Sequence, residues 1–85
     1  METNKEKRLE IVYFALLKEE RGQASETIES SAFCAADLYE ELKGRHNLTL
    51  NRNRLCVAIN DEMADWQNEL HEGDLIAFIP PVAGG

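Results

Sequence analysis

Two cysteines, two prolines and no long apolar run set the first limits on this 85-residue chain. Cys34 and Cys56 are too few and too far apart for a disulfide framework, and no Cys-x-x-Cys occurs. Both sit among apolar neighbours and read as small hydrophobes. His46 and His71 lie alone in polar stretches, without metal-ligand spacing to a cysteine or a carboxylate pair. They read as surface side chains, and no metal is expected. Glycine-rich phosphate loops and a Gly-x-Ser-x-Gly elbow are missing, so no side-chain active site is visible. Apolar runs fall short of the roughly eighteen residues a membrane span needs, and the charged start leads into no signal-peptide core. A cytoplasmic protein is expected.

Cations are missing from the last third. No Lys or Arg follows Arg54, whereas Asp61, Glu62, Asp65, Glu69, Glu72 and Asp74 do, within a net charge of −7. Such a surface repels nucleic acid and anionic lipid, which excludes both as partners, and steers the chain toward a basic protein.

What is present suits one folded domain. An apolar fraction of 44% argues against disorder, and the length allows a single core. Residues 1–7 form a polar lead-in, 8–79 the domain and 80–85 an extended tail. Residues 9–17 are apolar, β-branched and aromatic, as in a strand buried on both faces. Residues 18–23, charged and holding Gly22, read as a hairpin loop to a half-exposed strand at 25–30, paired antiparallel with the first. Ala35, Leu38, Tyr39 and Leu42 mark one amphipathic helix, stopped at Gly44 or Asn47. Residues 51–53 are a loop, 54–60 a strand, 62–64 a short edge strand, and 65–70 a turn or single helical turn. Gly73-Asp74 then launches the last strand at 75–79, which Pro80 ends. The order β-β-α-β-(β)-β predicts an α+β β-grasp: a mixed sheet of four to five strands with one main helix. Its first and last strands lie parallel in the middle, which accounts for their being the most apolar.

One helix covers one face of such a sheet. By parity from Glu10, Ile11 and Tyr13 face the helix, whereas Val12, Phe14 and Leu16 face away. In the last strand either Ile76/Phe78 or Leu75/Ala77/Ile79 is core, so the other set joins the uncovered face, near Cys56, Ala58 and Met63. An open apolar patch of that size marks a partner interface unless loops or the lead-in cover it. The acidic residues form its rim.

The chain stops on Gly84-Gly85, and a glycine pair without side chains fits a slot too narrow for any Cβ. A frayed end is the plain alternative. Pro80 and Pro81, however, stiffen the base of the run Val82-Ala83-Gly84-Gly85, and six residues past Ile79 reach about 20 Å. The reacting group of such an arm is the Gly85 carboxyl carbon. A carboxylate must be activated, and adenylation by ATP opens it to sulfur, giving a soft, nucleophilic thiocarboxylate.

Tyr13-Phe14-Ala15, Leu38-Tyr39-Glu40-Glu41-Leu42, Val57-Ala58-Ile59-Asn60, Leu70-His71-Glu72-Gly73-Asp74 and Ala77-Phe78-Ile79-Pro80-Pro81-Val82-Ala83-Gly84-Gly85 resemble the small subunit of molybdopterin synthase. The resemblance spans about 9–85, and its Gly-Asp turn and Pro-Pro-Val-x-Gly-Gly ending are its most specific parts. It implies a ubiquitin-like sulfur carrier with no enzyme activity of its own and no bound cofactor. An adenylyltransferase of the ubiquitin-activating type uses ATP on Gly85, and a sulfur donor protein makes the thiocarboxylate. The small subunit then docks on the large subunit, in an assembly of two large and two small chains, and gives sulfur to cyclic pyranopterin monophosphate. The resemblance implies that Gly85 carries sulfur, that Gly84 allows threading after Pro80, Pro81, Val82 and Ala83, and that Phe14, Met63 and Ile79 contact the large subunit. Val12, by its parity, and Ala77, which shares its set with Ile79, complete that face. Alternatives are a carrier for thiazole synthesis or transfer-RNA thiolation, and a ubiquitin-like protein modifier.

Overall fold

A computed structural model describes residues 6–81. The chain runs β1 (Lys7–Tyr13), α1 (Ala15–Arg21), β2 (Ser25–Ser30), α2 (Ala35–His46), a 3-10 turn (Arg52–Arg54), β3 (Cys56–Ile59), β4 (Glu62–Ala64) and β5 (Leu75–Ile79). The strands form one mixed sheet in the order β2-β1-β5-β3-β4. β1 and β5 lie parallel, and the other neighbours are antiparallel. This is the expected β-grasp, with its first and last strands adjacent.

Parity along the central strands decides the core. Leu9, Ile11 and Tyr13 of β1, Val57 of β3, and Ile76 and Phe78 of β5 are buried, and Leu38, Tyr39 and Leu42 of α2 pack on them. Ile76/Phe78 is therefore the core set of the last strand. Tyr39 meets Phe78 edge-on at 5.1 Å between ring centroids, and Trp66 stacks on Phe78 at 6.0 Å. The Tyr39 hydroxyl donates to the Leu50 carbonyl at 2.7 Å, and burial raises its pKa to about 12.

The expected strand at 9–17 is corrected. It ends at Tyr13, and the segment read as a hairpin loop is largely the helix α1. An uninterrupted apolar run hid the change of period. Ala15 to Arg21 are all strong helix formers, and the helix swings Leu17 into the core while Leu16 stays 42% exposed. The switch places Ala15 at φ +52°, in the left-handed region, and Gly22 closes the helix at φ +85°. At the end of α2, Asn47 takes the left-handed stop at φ +57°, and Gly44 lies inside the helix. The expected strand at 54–60 is shorter, because residues 52–54 wind into the 3-10 turn.

Two polar sites lock these elements. Asn60 and Asp61 both have positive φ and turn β3 back into β4. The Asn60 side chain donates to Asp74 Oδ1 at 2.9 Å and accepts from the Leu75 amide at 2.9 Å. Asp74 Oδ2 accepts from the His71 amide at 2.8 Å. Asp74 is thus a buried structural acid, not part of the expected rim.

The second site joins β1, α1, β2 and α2. Glu26 takes both Arg21 Nη2 at 2.7 Å and the Tyr13 hydroxyl at 2.6 Å, and His46 Nε2 lies 3.9 Å away. The Arg21 hydrogen bonds hold the Glu26 carboxyl below its usual range, and burial raises the Tyr13 hydroxyl. His46, expected at the surface, is half-buried, and burial followed by the nearby Arg21 charge lowers its pKa.

The Glu26 and His46 shifts act in one direction. A group whose folded pKa is depressed stabilises the fold above its unfolded pKa and loses that contribution as pH falls. Stability should therefore decline below the ordinary histidine value of 6.5, and again below the ordinary glutamate value of 4.5. Urea titrations across this range should show both declines, with His46→Gln removing the upper one. An unchanged upper decline in that variant would refute the assignment.

Candidate docking face and tail root

Residues directly opposite each other across a ladder share a face. Val12 pairs with Ala77, Ala77 with Ala58, and Ala58 with Met63, which draws one apolar row across β1, β5, β3 and β4. Cys56 pairs with Ile79 beside that row. The opposite parity is the core, so this row is the face that α2 leaves uncovered. Val12, Ala77 and Ile79 are half-buried, whereas Met63 is 66% exposed. Val12, Met63, Ile79 and Ala77 thus come together, Val12 on the face strand parity assigned it and Ala77 and Ile79 as the outward set of β5.

Phe14 arrives by a different route. It is not a strand residue on that face but the N-cap of α1, immediately beyond the end of β1, and is 45% exposed. Val12↔Ala77 and Tyr13↔Phe78 put this end of β1 next to the end of β5, so Phe14 lies at the end from which the tail departs. Cys56, read as a small hydrophobe among apolar neighbours, is exposed, whereas Cys34 is buried. The reason is parity: Cys56 faces outward while Leu55 and Val57 turn in.

Charge flanks the row on one side. Met63 shares a cleft of about 450 Å³ with Glu62, Glu69 and His71. Asp61, Glu62, Asp65 and Glu69 are exposed and form the acidic flank. On the other side Arg54 lies by the tail root, in a groove with Cys56, Ile79, Pro80 and Pro81. Sequence reading passed over Arg54. Its one signal was being the last cation before the cation-free third. Val82, Ala83, Gly84 and Gly85 lie outside the described residues. Among the described residues, no group of three or more His, Cys, Asp or Glu could hold a metal ion, and no helix is long and apolar enough to cross a membrane.

A mixed sheet with its first and last strands parallel at the centre, one main helix on one face and an apolar row on the other defines a ubiquitin-like β-grasp protein. The chain belongs to the ThiS family, whose model matches residues 11–85. It is 36% identical over 83 residues to the human molybdopterin synthase sulfur carrier subunit, covering 92% of this chain and 94% of that one. Among solved structures, a putative molybdopterin converting factor subunit 1 from Pyrococcus furiosus superposes with a TM-score of 0.73 at 28% identity, covering 89% of this chain and 99% of that one. SAMP1 from Haloferax volcanii gives a TM-score of 0.74 at 26% identity, covering 92% and 99%.

Proposed function

We propose that this chain is the sulfur-carrier subunit of a molybdopterin synthase, working through a thiocarboxylate on Gly85. The observation that carries the reading is the 36% identity with a sulfur carrier subunit of that enzyme across nearly the whole chain. The ending Ile79-Pro80-Pro81-Val82-Ala83-Gly84-Gly85 supports it chemically.

The body, residues 8–79, holds the root of the arm and presents the docking face, and residues 80–85 are the arm. Pro80 fixes its own φ and keeps Ile79 extended, so the arm leaves along the line of β5. An adenylyltransferase of the ubiquitin-activating type joins the Gly85 carboxylate to the α-phosphate of ATP and releases pyrophosphate. Sulfur from a donor protein then displaces AMP at the carboxyl carbon. The loaded carrier docks on the large subunit through Phe14, Met63, Ile79, Val12 and Ala77, and Gly84-Gly85 threads into its active site. There the sulfur passes to cyclic pyranopterin monophosphate, and Gly85 returns as a carboxylate. The chain supplies no acid, base or metal to this chemistry. Its contribution is to place one carbon inside another protein.

Incubation of the chain with ATP, the adenylyltransferase and a sulfur donor should exchange one oxygen for sulfur at Gly85, read by intact mass. The loaded chain should then convert the pterin precursor when the large subunit is added. An unchanged mass under conditions that load a molybdopterin synthase sulfur carrier would reject the reading. Conjugation of Gly85 to lysine is a second reading, favoured by the similarity to SAMP1, a small archaeal modifier protein of Haloferax volcanii. It would give an isopeptide-linked adduct in the same measurement.

A further inference from the structure

The groove at the tail root has a volume of about 440 Å³ and is lined by Arg54, Leu55, Cys56, Ile79, Pro80 and Pro81, with Asn53 at its edge. Its walls are mainly apolar, and among the described residues Arg54 is the one charged side chain in them. The other arginines around the helices are engaged: Arg21 with Glu26, Arg45 with Glu41, and Arg52 with Glu40. Arg52 also lies over the Trp66 ring, 5.8 Å from its centroid. The Arg54 amide donates to the Asn51 carbonyl, but among the described residues its exposed guanidinium has no hydrogen-bond or ion-pair partner.

Its position in the 3-10 turn that leads into β3 gives that charge a meaning. Cys56 stands at the tail-root end of the strand opposite Ile79, and Ile59 stands at the other end opposite Glu62. These ends are about 10 Å apart. Along β3, the Arg54 guanidinium, without a partner among the described residues, therefore lies at the tail-root end and the acidic flank at the other, with Ala58 and Met63 between them. The β3–β4 side of the face is bipolar. A uniformly basic partner would suit the acidic end and repel Arg54.

We propose that the tail-root groove receives a segment of the large subunit that carries an apolar side chain beside a carboxylate. The carboxylate pairs with Arg54, and the apolar side chain packs on Cys56, Ile79 and Pro80. The inference rests on the sulfur-carrier reading and adds the chemistry of the partner's surface. A guanidinium fork on a carboxylate fixes direction as well as distance. This pair, together with cations of the partner on the acidic flank, selects the one orientation in which the arm points into the active site. Arg54 is in this sense an orienting residue, remote from the reacting carbon.

Calorimetric titration of the full chain with the large subunit tests the proposal. Arg54→Glu should weaken binding about tenfold at low ionic strength, and the deficit should shrink at high salt. Arg54→Lys should recover part of the loss, since it keeps the charge without the fork. Arg45→Ala, on α2 and away from the docking face, should stay within twofold of the parent. Thermal melts of all three should match the parent. If Arg54→Glu binds within twofold of the parent, or if its deficit is independent of salt, the groove proposal is wrong while the sulfur-carrier reading stands. If the unaltered chain does not bind the large subunit, that reading falls and the groove proposal falls with it.

Discussion

A chain lacking Gly85 should fold, dock on the large subunit and deliver no sulfur. The body does not need the last residue. Its core is built from β1, β3, β5 and α2, and the Ile79↔Cys56 pair ends the ladder before the arm begins. The chemistry has no substitute for it. Removing Gly85 withdraws the terminal carboxyl by about 3.5 Å and moves it onto Gly84, and one added residue pushes it forward by the same amount. A reacting atom misplaced by about 1 Å can already cost two orders of magnitude. Either change should therefore lower sulfur transfer at least about a hundredfold in a reconstituted assay, with the urea midpoint unchanged. Product formed at the normal rate by the truncated chain would place the reacting group elsewhere.

Phe14→Asp should uncouple docking from folding. Phe14 is 45% exposed at the start of α1, so a carboxylate there stays hydrated in the free chain. In the complex it would be buried against an apolar surface without a partner. An apolar hot-spot side chain costs about 2 kcal/mol or more when lost from an interface, which corresponds to roughly thirtyfold weaker binding. Phe78→Ala is the contrasting change. Phe78 is fully buried between Tyr39 and Trp66, and its truncation should cost about 3–5 kcal/mol of stability. Melting curves and binding titrations of the two variants should move in opposite columns. Loss of the cooperative melt in Phe14→Asp would mean that Phe14 serves the core.

Much of the fold was legible because period and punctuation agreed. The α2 pattern, the alternation at 25–30, the Gly73-Asp74 turn and the Pro80 stop each had one reading, and the element order then pointed to a β-grasp. The first strand was misjudged because its apolar character continues through the change from β1 to α1. Nothing between Tyr13 and Leu17 interrupts the run, and the turn is made by an alanine at positive φ, a conformation that alanine composition does not announce. His46 and Asp74 were misplaced for a related reason. Their burial follows from partners distant in sequence, Glu26 for one and Asn60 for the other.

The docking face divides in the same way. Val12 followed from parity, because β strands alternate regardless of what they pair with, whereas parity grouped Ala77 with Ile79 without deciding their face. Their assembly into one row with Met63 required the register of three ladders. Phe14 was expected on the strand face and instead reaches the tail end of the sheet from a helix cap. Arg54 gained significance once the fold had set it beside Ile79 and Pro80, its guanidinium without a partner among the described residues.

The sequence by itself determined the order Pro80-Pro81-Val82-Ala83-Gly84-Gly85, the surplus of apolar side chains over what one helix can cover, and the absence of cations after Arg54. These are properties of composition and local order, and they hold whatever the strands pair with. The tertiary structure alone decided which apolar residues meet, that Arg54 lies at the tail root, and how the acidic flank and Arg54 are set at the two ends of β3. Those relations join positions far apart in the chain, and the strand register that creates them is fixed by burying Ile11, Val57, Ile76 and Phe78 together under α2.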